Sequence, residues 1–226
     1  MNKTVNILMK QTANDTYQLL QGDLDGTDML QHAVQKELQH TLSIEDDIFA
    51  EQLKTIYIPR KKEHATDKDY TPLLVYYAFI KEESLTHLLH EDSPYTALSI
   101  DEAQEKDVLP LHQKILFGGL SPLCGEEVNV YEQVQKKMFS SSIAKGLLNE
   151  EFTLSELREL LEAFVPSIRL NSSNFIRKIT LSKMTKGLIE ECMDENNCVK
   201  TSKQYSNNAA KLYRFTTEEP LLSYFN

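Results

Sequence analysis

The residues with the clearest chemical potential lie between positions 22 and 44. Here Asp28 and Glu37 follow the spacing of the motif G-x5-E-x7-R-E-U-x-E-E-x-G-U, in which U is a bulky aliphatic residue. In that motif a helix presents several carboxylates to one point, where they hold divalent cations that neutralise a diphosphate and activate water. The first question is therefore whether this chain can hydrolyse a diphosphate.

Both carboxylates of the E-E pair are missing, because His40 and Thr41 occupy their positions. The motif positions are filled, in order, by Gly22, Asp28, Lys36, Glu37, Leu38, His40, Thr41, Ser43 and Ile44. Glu37 alone offers too few hard oxygen ligands for Mg²⁺, which prefers octahedral geometry. A histidine pair would need a second histidine one turn before His40, and Lys36 occupies that position. We therefore predict no metal site, no cofactor and no catalytic residue, so we do not expect an enzyme.

Charge is distributed unevenly along the chain. The formal net charge is -10, and residues 1–144 hold 13 Lys and Arg against 23 Asp and Glu, whereas residues 145–226 hold 11 of each. Between residues 165 and 214 the balance is basic, with nine cationic and four acidic side chains. This pattern is typical of a basic, nucleic-acid-binding module attached to an acidic one, although a lysine-rich solvated surface would give the same count.

Composition places the chain among globular proteins. Hydrophobic residues make up 41% and charged residues 26%, which argues against both a disordered and a membrane-embedded chain. No apolar run approaches the roughly 18 residues of a spanning helix, and the apolar core of the N-terminus is too short for a signal peptide.

The three cysteines, Cys124, Cys192 and Cys198, lack the spacing of a zinc site or a disulfide framework. We expect a cytoplasmic protein.

The first half alternates strand and helix patterns. VNILMK and YQLLQG are strand-like, and a helix is predicted from Asp28 to about Gln39, followed by the aromatic-rich strands LKTIYI and LLVYYAFI. The stretch from Leu85 to Gly125 is expected to be irregular, and VYEQVQKKMF to be a closing helix. Alternating strands and helices indicate an α/β layered fold.

The second half, which begins after Ser140, Ser141 and Ser142, has short helices followed by a hairpin. Thr153 and Glu156 form a predicted capping box at the start of one helix. Asn171 precedes another, which is predicted to reach about Lys186. The predicted core side chains are Leu157, Leu160, Leu161, Phe164, Phe175, Ile176, Ile179 and Met184, with Tyr213 and Phe215 in a strand. GLIEECM and AAKLYRF are two strand candidates joined by a polar loop, which gives the element order of a winged helix-turn-helix.

Taken together, the two halves resemble the Nudix-related transcriptional regulators, in which a degenerate Nudix domain is fused to a winged helix-turn-helix. The segments that carry the resemblance are the altered Nudix box at 22–44, FTLSEL, NFIRKI, KGLIEE and AKLYRF. The resemblance implies a Nudix-like α/β/α sandwich over residues 1–140 that senses an effector without catalysis, and a DNA-binding winged helix over residues 141–226.

The winged helix implied by this resemblance would place its third helix in the major groove of a double-stranded operator. Arg177 and Lys178 are the best candidates for that approach, and Asn174 is a possible base reader. Lys183, Lys186 and Lys203 would contact phosphates, which position the protein without specifying a sequence. Each of these side chains could instead belong to a solvated surface. Ser172, Ser173 and Ile176 depart from the basic residues common in the family, which leaves the operator open.

The resemblance also implies a homodimer whose half-site spacing changes when an effector binds. The family represses genes of NAD metabolism or sugar use, and its effectors include ADP-ribose, related nucleotides and sugars. Lys36 and Arg60 would be the partners of a diphosphate, although Lys36 could equally be a surface lysine. Arg60 matches an arginine-aspartate pair of the family whose aspartate is missing here.

Two other functions are compatible with the sequence. The chain could retain weak nucleoside-diphosphate hydrolysis through Glu37 and carboxylates from elsewhere, with the winged helix as an accessory module. The winged helix could also bind a protein rather than DNA.

Overall fold

The structure is a computed structural model that describes residues 5–23, 29–45, 48–59, 70–119, 129–140, 142–165, 171–181, 188–202 and 209–216. Its contacts divide the chain into two compact units. One unit is Asn6–Gln133, and the other is Val134–Asn226 with Met1–Val5. Among the described residues, no helix is long and apolar enough to cross a membrane.

The first unit contains five strands and four helices within its described residues, and a fifth helix leads into the second unit. They are, in chain order, β1 Asn6–Gln11, β2 Tyr17–Gln18, α1 Leu30–Leu42, β3 Phe49–Pro59, β4 Tyr70–Phe79, α2 Glu82–Leu85, β5 Tyr95–Ser99, α3 Ile100–Glu105, α4 Pro110–Phe117 and α5 Val130–Ser140. Strand β1 pairs antiparallel with β2 on one side and β5 on the other.

Helices cover both faces of the sheet formed by β2, β1 and β5. Met9 of β1 is fully buried and packs with Ala103 of α3 and Leu116 of α4. The neighbouring Leu8 points to the opposite face, because side chains alternate along a strand, and it packs with Leu42 of α1. The predicted α/β/α sandwich is therefore confirmed.

Strands β3 and β4 form a separate antiparallel hairpin with a register irregularity between Gln52 and Lys54. Ile56 and Val75 of this hairpin pack against Ile115 of α4. Helix α1 also contacts the hairpin through two glutamines one turn apart. The side-chain amide of Gln31 donates to the Ala50 carbonyl at 2.9 Å, and that of Gln35 donates to the Ile48 carbonyl at 2.8 Å. These bonds give helix partners to the carbonyl groups of Ala50 in β3 and of Ile48 just before it.

The prediction that Leu85–Gly125 is irregular was wrong, because the segment contains β5, α3 and α4. Each element is too short to show a clear periodicity, and β5 passes into α3 without a loop. The local signals were nevertheless present. Ser99 and Glu102 form a capping box at the start of α3, and Pro110 occupies the first turn of α4.

The second unit has the order of a winged helix. Its described elements are a 3₁₀ turn Ser142–Gly146, β6 Phe152–Thr153, α6 Leu154–Phe164, α7 Ser172–Leu181, β7 Ile189–Glu191, β8 Thr201–Ser202 and β9 Ala210–Phe215. The predicted capping box is confirmed, since the Glu156 amide donates to the Thr153 hydroxyl oxygen at 3.2 Å and the Thr153 amide donates to the Glu156 carboxylate at 2.7 Å.

The core of the second unit contains most of the predicted side chains. Leu157, Leu160, Leu161 and Phe164 are buried on α6, and Phe175 and Ile179 on α7. Tyr213 is buried, and the Phe215 ring lies 4.9 Å from that of Phe152. Ile176 was wrongly predicted to be buried, because it is 46% exposed on the flank of α7. Met184 lies outside the described residues.

The hairpin is more elaborate than two strands joined by a polar loop. Strand β9 pairs with β7, β8 and also β6, so that Phe152 lies opposite Tyr213. Asn197 has a positive φ of 60° in a turn that follows Asp194. The Asp194 carboxylate accepts from the amides of Asn196 and Cys198, both at 2.8 Å, and thereby stabilises the turn. Cys198 is exposed, whereas Cys192 is buried.

A buried histidine joins α4 to the segment that leads into Gly22. His112 is 5% exposed, and its Nδ1 accepts from the Leu19 amide at 2.8 Å. Its Nε2 lies 2.8 Å from the side-chain amide of Gln21. Because Nδ1 is an acceptor, the ring is neutral in this arrangement. Burial lowers the pKa of His112 below its usual value.

We expect the stability of the first unit to decrease as pH falls below about 6.5, the ordinary pKa of histidine. In that range the unfolded state binds a proton that the folded state resists, so lowering the pH favours unfolding. The decrease should be smaller in His112→Asn, which retains an acceptor oxygen but does not titrate. Urea unfolding of the full chain between pH 5 and 8 measures this difference. The exposed His90→Asn is the matched control, and an equal change in both variants would contradict the assignment.

Gly22 packs directly against α1. A Cβ atom at Gly22 would lie 2.8 Å from Cγ of Glu37, which is closer than real carbon contacts allow. The glycine is therefore required by the close approach of this segment to the helix.

Gly22→Ala is expected to lower the free energy of unfolding by about 1–3 kcal/mol, the usual cost of overpacking. In a Glu37→Ala background the obstructing side-chain atoms are gone, so the same substitution should cost much less. A double-mutant cycle measured by urea unfolding tests the contact. Equal costs in the two backgrounds would show that the Gly22 substitution acts elsewhere, for example on the local backbone.

Candidate nucleic-acid interface and effector site

The start of α7 is set by Asn171. Its side-chain oxygen accepts from the amides of Ser173 at 3.1 Å and Asn174 at 3.2 Å. These bonds satisfy amides of the first turn that have no partner within a helix. The cap thus determines where the helix begins and which residues occupy its first turn.

Two apolar side chains determine which face of α7 points outward. Phe175 and Ile179 are each 2% exposed and lie four residues apart on one face. At about 100° per residue, Arg177 then lies opposite them. Ser173 and Asn174, one turn earlier, also lie on the outward side, and all three are exposed.

Helix α6 contacts the start of α7 through Arg158. A guanidinium nitrogen of Arg158 donates to the Ser172 hydroxyl, and its Nε lies 4.0 Å from the Glu162 carboxylate. The Arg158 side chain is 24% exposed, whereas Ser172 is exposed, so the contact lies at the surface of the unit. The sequence shows the Arg158 and Glu162 spacing of one helical turn, but it contains no signal that Arg158 reaches Ser172.

Three basic side chains of the hairpin are paired with carboxylates. Lys200 lies 2.6 Å from Glu151, Lys211 lies 2.6 Å from Glu191, and Arg214 lies 2.7 Å from Glu190. In each case the hydrogen bond to the carboxylate raises the pKa of the cation. The basic excess counted between residues 165 and 214 is therefore partly neutralised within the hairpin. Arg177, by contrast, makes no ion pair with any residue that the structure describes.

The predicted DNA-contacting residues divide into two groups. Asn174, Arg177 and Lys178 lie together on exposed positions of α7. Lys183, Lys186 and Lys203 lie outside the described residues. Of the predicted effector residues, Lys36 is exposed on α1, and Arg60 lies outside the described residues.

Helix α1, which carries the motif-like spacing, ends in a left-handed residue. Ser43, at the position of the motif's last glycine, has φ 51° and ψ 44°, the left-handed conformation that glycine adopts most easily. The Ile44 amide donates to the Gln39 carbonyl at 3.0 Å, which closes the helix. Ile44 is buried beside Leu42. Positions 43 and 44 thus have the conformation and the burial expected for the last two positions of the motif.

Helix α1 offers few ligands to a cation. Glu37 is the only carboxylate on α1. Its oxygen accepts from the Thr41 hydroxyl at 3.2 Å, and Thr41 stands at the position of the second glutamate of the motif. A hydroxyl that donates to Glu37 supplies no charge to a cation. Within the described ranges, no three His, Cys, Asp or Glu side chains converge on a possible metal site. The donor set on α1 does not fit Mg²⁺, which needs several oxygen ligands.

Comparison with known proteins gives a family match for the second half and fold matches for the whole chain. Residues 144–215 match the family model of the NrtR DNA-binding winged helix domain. No curated protein sequence matches the chain.

Three solved structures share the fold. Shewanella oneidensis NrtR is 15% identical, with a TM-score of 0.70 over 98% of this chain and 94% of that one. The same protein in complex with a 27mer DNA gives 15% identity and a TM-score of 0.65 over 96% and 91%. A MutT/nudix family protein from Enterococcus faecalis gives 18% identity and a TM-score of 0.60 over 94% and 81%.

These matches agree with the two halves seen in the structure. The helix α7 and the hairpin lie within the matched winged helix, and the sandwich of the first unit is covered by both the NrtR and the MutT/nudix structures. Residues 144–215 thus match a winged helix domain of the NrtR DNA-binding type, and the chain as a whole shares the fold of the NrtR and MutT/nudix structures.

Proposed function

We propose that this protein is a DNA-binding transcriptional repressor controlled by a small molecule. The observation that carries the proposal is the match of residues 144–215 to a DNA-binding winged helix, within which α7 presents Asn174 and Arg177 outward. Residues 141–226 would bind the operator, and residues 1–140 would bind the effector. Both activities would be exercised in the cytoplasm.

Helix α7 is the element that reads bases in this proposal. Arg177 lies opposite the buried face, so it can enter the major groove and pair with both acceptors of a guanine. Asn174, one turn nearer the N-terminus, can pair with adenine in the same way. Lys178 lies on a flank of the helix and would contact the phosphate backbone, together with Lys183, Lys186 and Lys203.

The first unit is proposed to bind its ligand without cleaving it. Three features of the box support this: the single carboxylate on α1, the Thr41 hydroxyl bound to Glu37, and the retained close packing of Gly22. A nucleotide such as ADP-ribose is the preferred effector because Lys36 and Arg60 can pair with a diphosphate, and a sugar is the other candidate. We propose target genes of NAD metabolism or sugar use, since these are the genes that the resemblance to the family implies.

A homodimer would couple the two activities. Two winged helices match two half-sites only when their separation agrees with the helical repeat of DNA. An effector that binds one arrangement of the dimer better than the other shifts the population toward it. We propose that the effector-bound arrangement no longer matches the operator.

Arg177→Ala is expected to weaken operator binding by about 1–3 kcal/mol, the usual value of a bidentate base contact. Fluorescence anisotropy with a labelled duplex from the region upstream of the protein's own gene measures the Kd at several salt concentrations. Lys178→Ala should weaken binding to all sequences and reduce the salt slope by about one, since it would remove one phosphate contact.

Arg214→Gln is the matched control for charge. It removes a cation from the same unit, but one already paired with Glu190, so its Kd should remain within a factor of about two at physiological salt. Equal weakening by Arg177→Ala and Arg214→Gln would show that charge alone matters and that α7 does not read bases. No salt-dependent DNA binding at all would favour a protein-binding winged helix.

ADP-ribose is expected to bind the full chain and to remain intact with Mg²⁺ or Mn²⁺. Calorimetry gives its Kd. Lys36→Ala should raise this Kd, because it removes a charge-assisted contact. Lys106 is an exposed lysine of the same unit, and Lys106→Ala should leave the Kd unchanged. Chromatography of the incubated nucleotide detects cleavage.

Cleavage of ADP-ribose would support a different function. The fold shared with a MutT/nudix family protein favours a second candidate, a nucleoside-diphosphate hydrolase with an accessory winged helix. Metal-dependent turnover that Glu37→Gln abolishes would establish that candidate and reject the non-catalytic domain. Binding of a sugar instead of ADP-ribose would retain the repressor and change only its effector.

A further inference from the structure

Two apolar side chains on α7, Ile176 and Leu181, lie outside the core. Ile176 is 46% exposed, although Phe175 and Ile179, its neighbours on the buried face, are each 2% exposed. It lies in the second turn of the helix, whose exposed side chains also include Ser173, Asn174 and Arg177. Such exposure leaves much of its apolar surface in water, which is unfavourable for a side chain with no partner.

The geometry of α7 places Ile176 on the flank shared with Ser173 and Thr180. These residues lie three positions before it and four after it, and so occupy the same side of the helix. The Thr180 hydroxyl donates to the Ile176 carbonyl at 2.7 Å. The proton of that hydroxyl is therefore used within the helix. Ile176 supplies the apolar surface of this flank, beside Arg177 and the exposed Ser173.

The major groove presents one apolar group on its base edges, the 5-methyl group of thymine. We propose that Ile176 recognises a thymine methyl in the operator, next to the base contacted by Arg177. This inference rests on the proposed function and names the base that the repressor selects at one position. The adjacent exposed cation favours DNA over an apolar protein surface, because Arg177 would lose its hydration without gaining a phosphate or a base acceptor.

The stiffness of isoleucine suits this role. A β-branched side chain in a helix has one strongly preferred χ1 rotamer, so little conformational entropy is lost when it contacts the methyl group. Leu181 provides a comparison on the same helix. It is 76% exposed, but it lies at the last described residue of α7 and about 140° around the helix from Ile176. Leu181 is therefore not expected to reach the same base.

The test removes single methyl groups from DNA. The full chain first selects its preferred duplexes from a randomised library, and the enriched duplex is then remade with deoxyuridine at one thymine position at a time. This replacement deletes only the 5-methyl group. For the wild type, one replacement should weaken binding by about four-fold, the value of one buried methyl group, and the others should have little effect.

The protein variants assign that effect to one side chain. Ile176→Ala should lose affinity for the thymine duplex and be insensitive to deoxyuridine at the sensitive position. Ile176→Val should retain part of the sensitivity, whereas Leu181→Ala should retain all of it. Because Ile176 is exposed, Ile176→Ala should keep the unfolding curve of the wild type, which confirms that its altered binding is not a folding defect.

Two results would overturn the inference in distinguishable ways. If the wild type enriches a sequence but Ile176→Ala shows the same deoxyuridine profile, Ile176 does not read thymine and the repressor function stands. If the wild type enriches no sequence, the proposed function fails and the thymine contact fails with it. In that case an apolar protein partner becomes the better explanation of the exposed flank.

Discussion

The burial of Phe175 and Ile179 is the constraint on which the functional surface depends. These two side chains are one helical turn apart and almost inaccessible to water, so they prevent α7 from rotating about its axis. Every other residue of the helix then has a determined direction. Arg177 lies opposite the core, Lys178 and Ile176 lie on the two flanks, and the Asn171 cap sets where the first turn begins. The surface that α7 would offer to DNA follows from two apolar contacts and one cap.

The first unit has the backbone geometry of the motif without its ligand set. Gly22 permits close contact with Glu37, and Ser43 adopts the left-handed conformation that glycine favours. Leu42 and Ile44 are buried together at the end of α1. His40 and Thr41 stand where the motif has its paired carboxylates, so α1 presents Glu37 as its one carboxylate. The helix can therefore pack as the motif requires while it offers few ligands to a cation.

Charge in the second unit is arranged more selectively than its composition suggests. The strands of the hairpin hold their cations in pairs with Glu151, Glu190 and Glu191. Exposed pairs of this kind contribute little to stability, but they reduce the positive potential around the hairpin. The nine basic residues between positions 165 and 214 therefore overstate the unpaired positive charge of this unit. Arg177 differs from the three paired cations because it makes no ion pair with a described residue. The described strands of the hairpin thus carry paired cations, whereas α7 presents Arg177 outward.

The sequence by itself determined the features that depend on neighbouring residues. The capping box at Thr153 and Glu156, the buried stripe of α6 and the loss of the paired carboxylates at His40 and Thr41 could all be read from local spacing, because helix periodicity and cap chemistry act within about one turn. Short elements such as β5, α3 and α4 were not predicted from the sequence, because a pattern of five to eight residues is too brief to identify. Only the tertiary structure decided that Ile176 is exposed, that Arg158 reaches Ser172 and that three hairpin cations are paired. These facts depend on which distant segments meet, and sequence spacing does not contain that information.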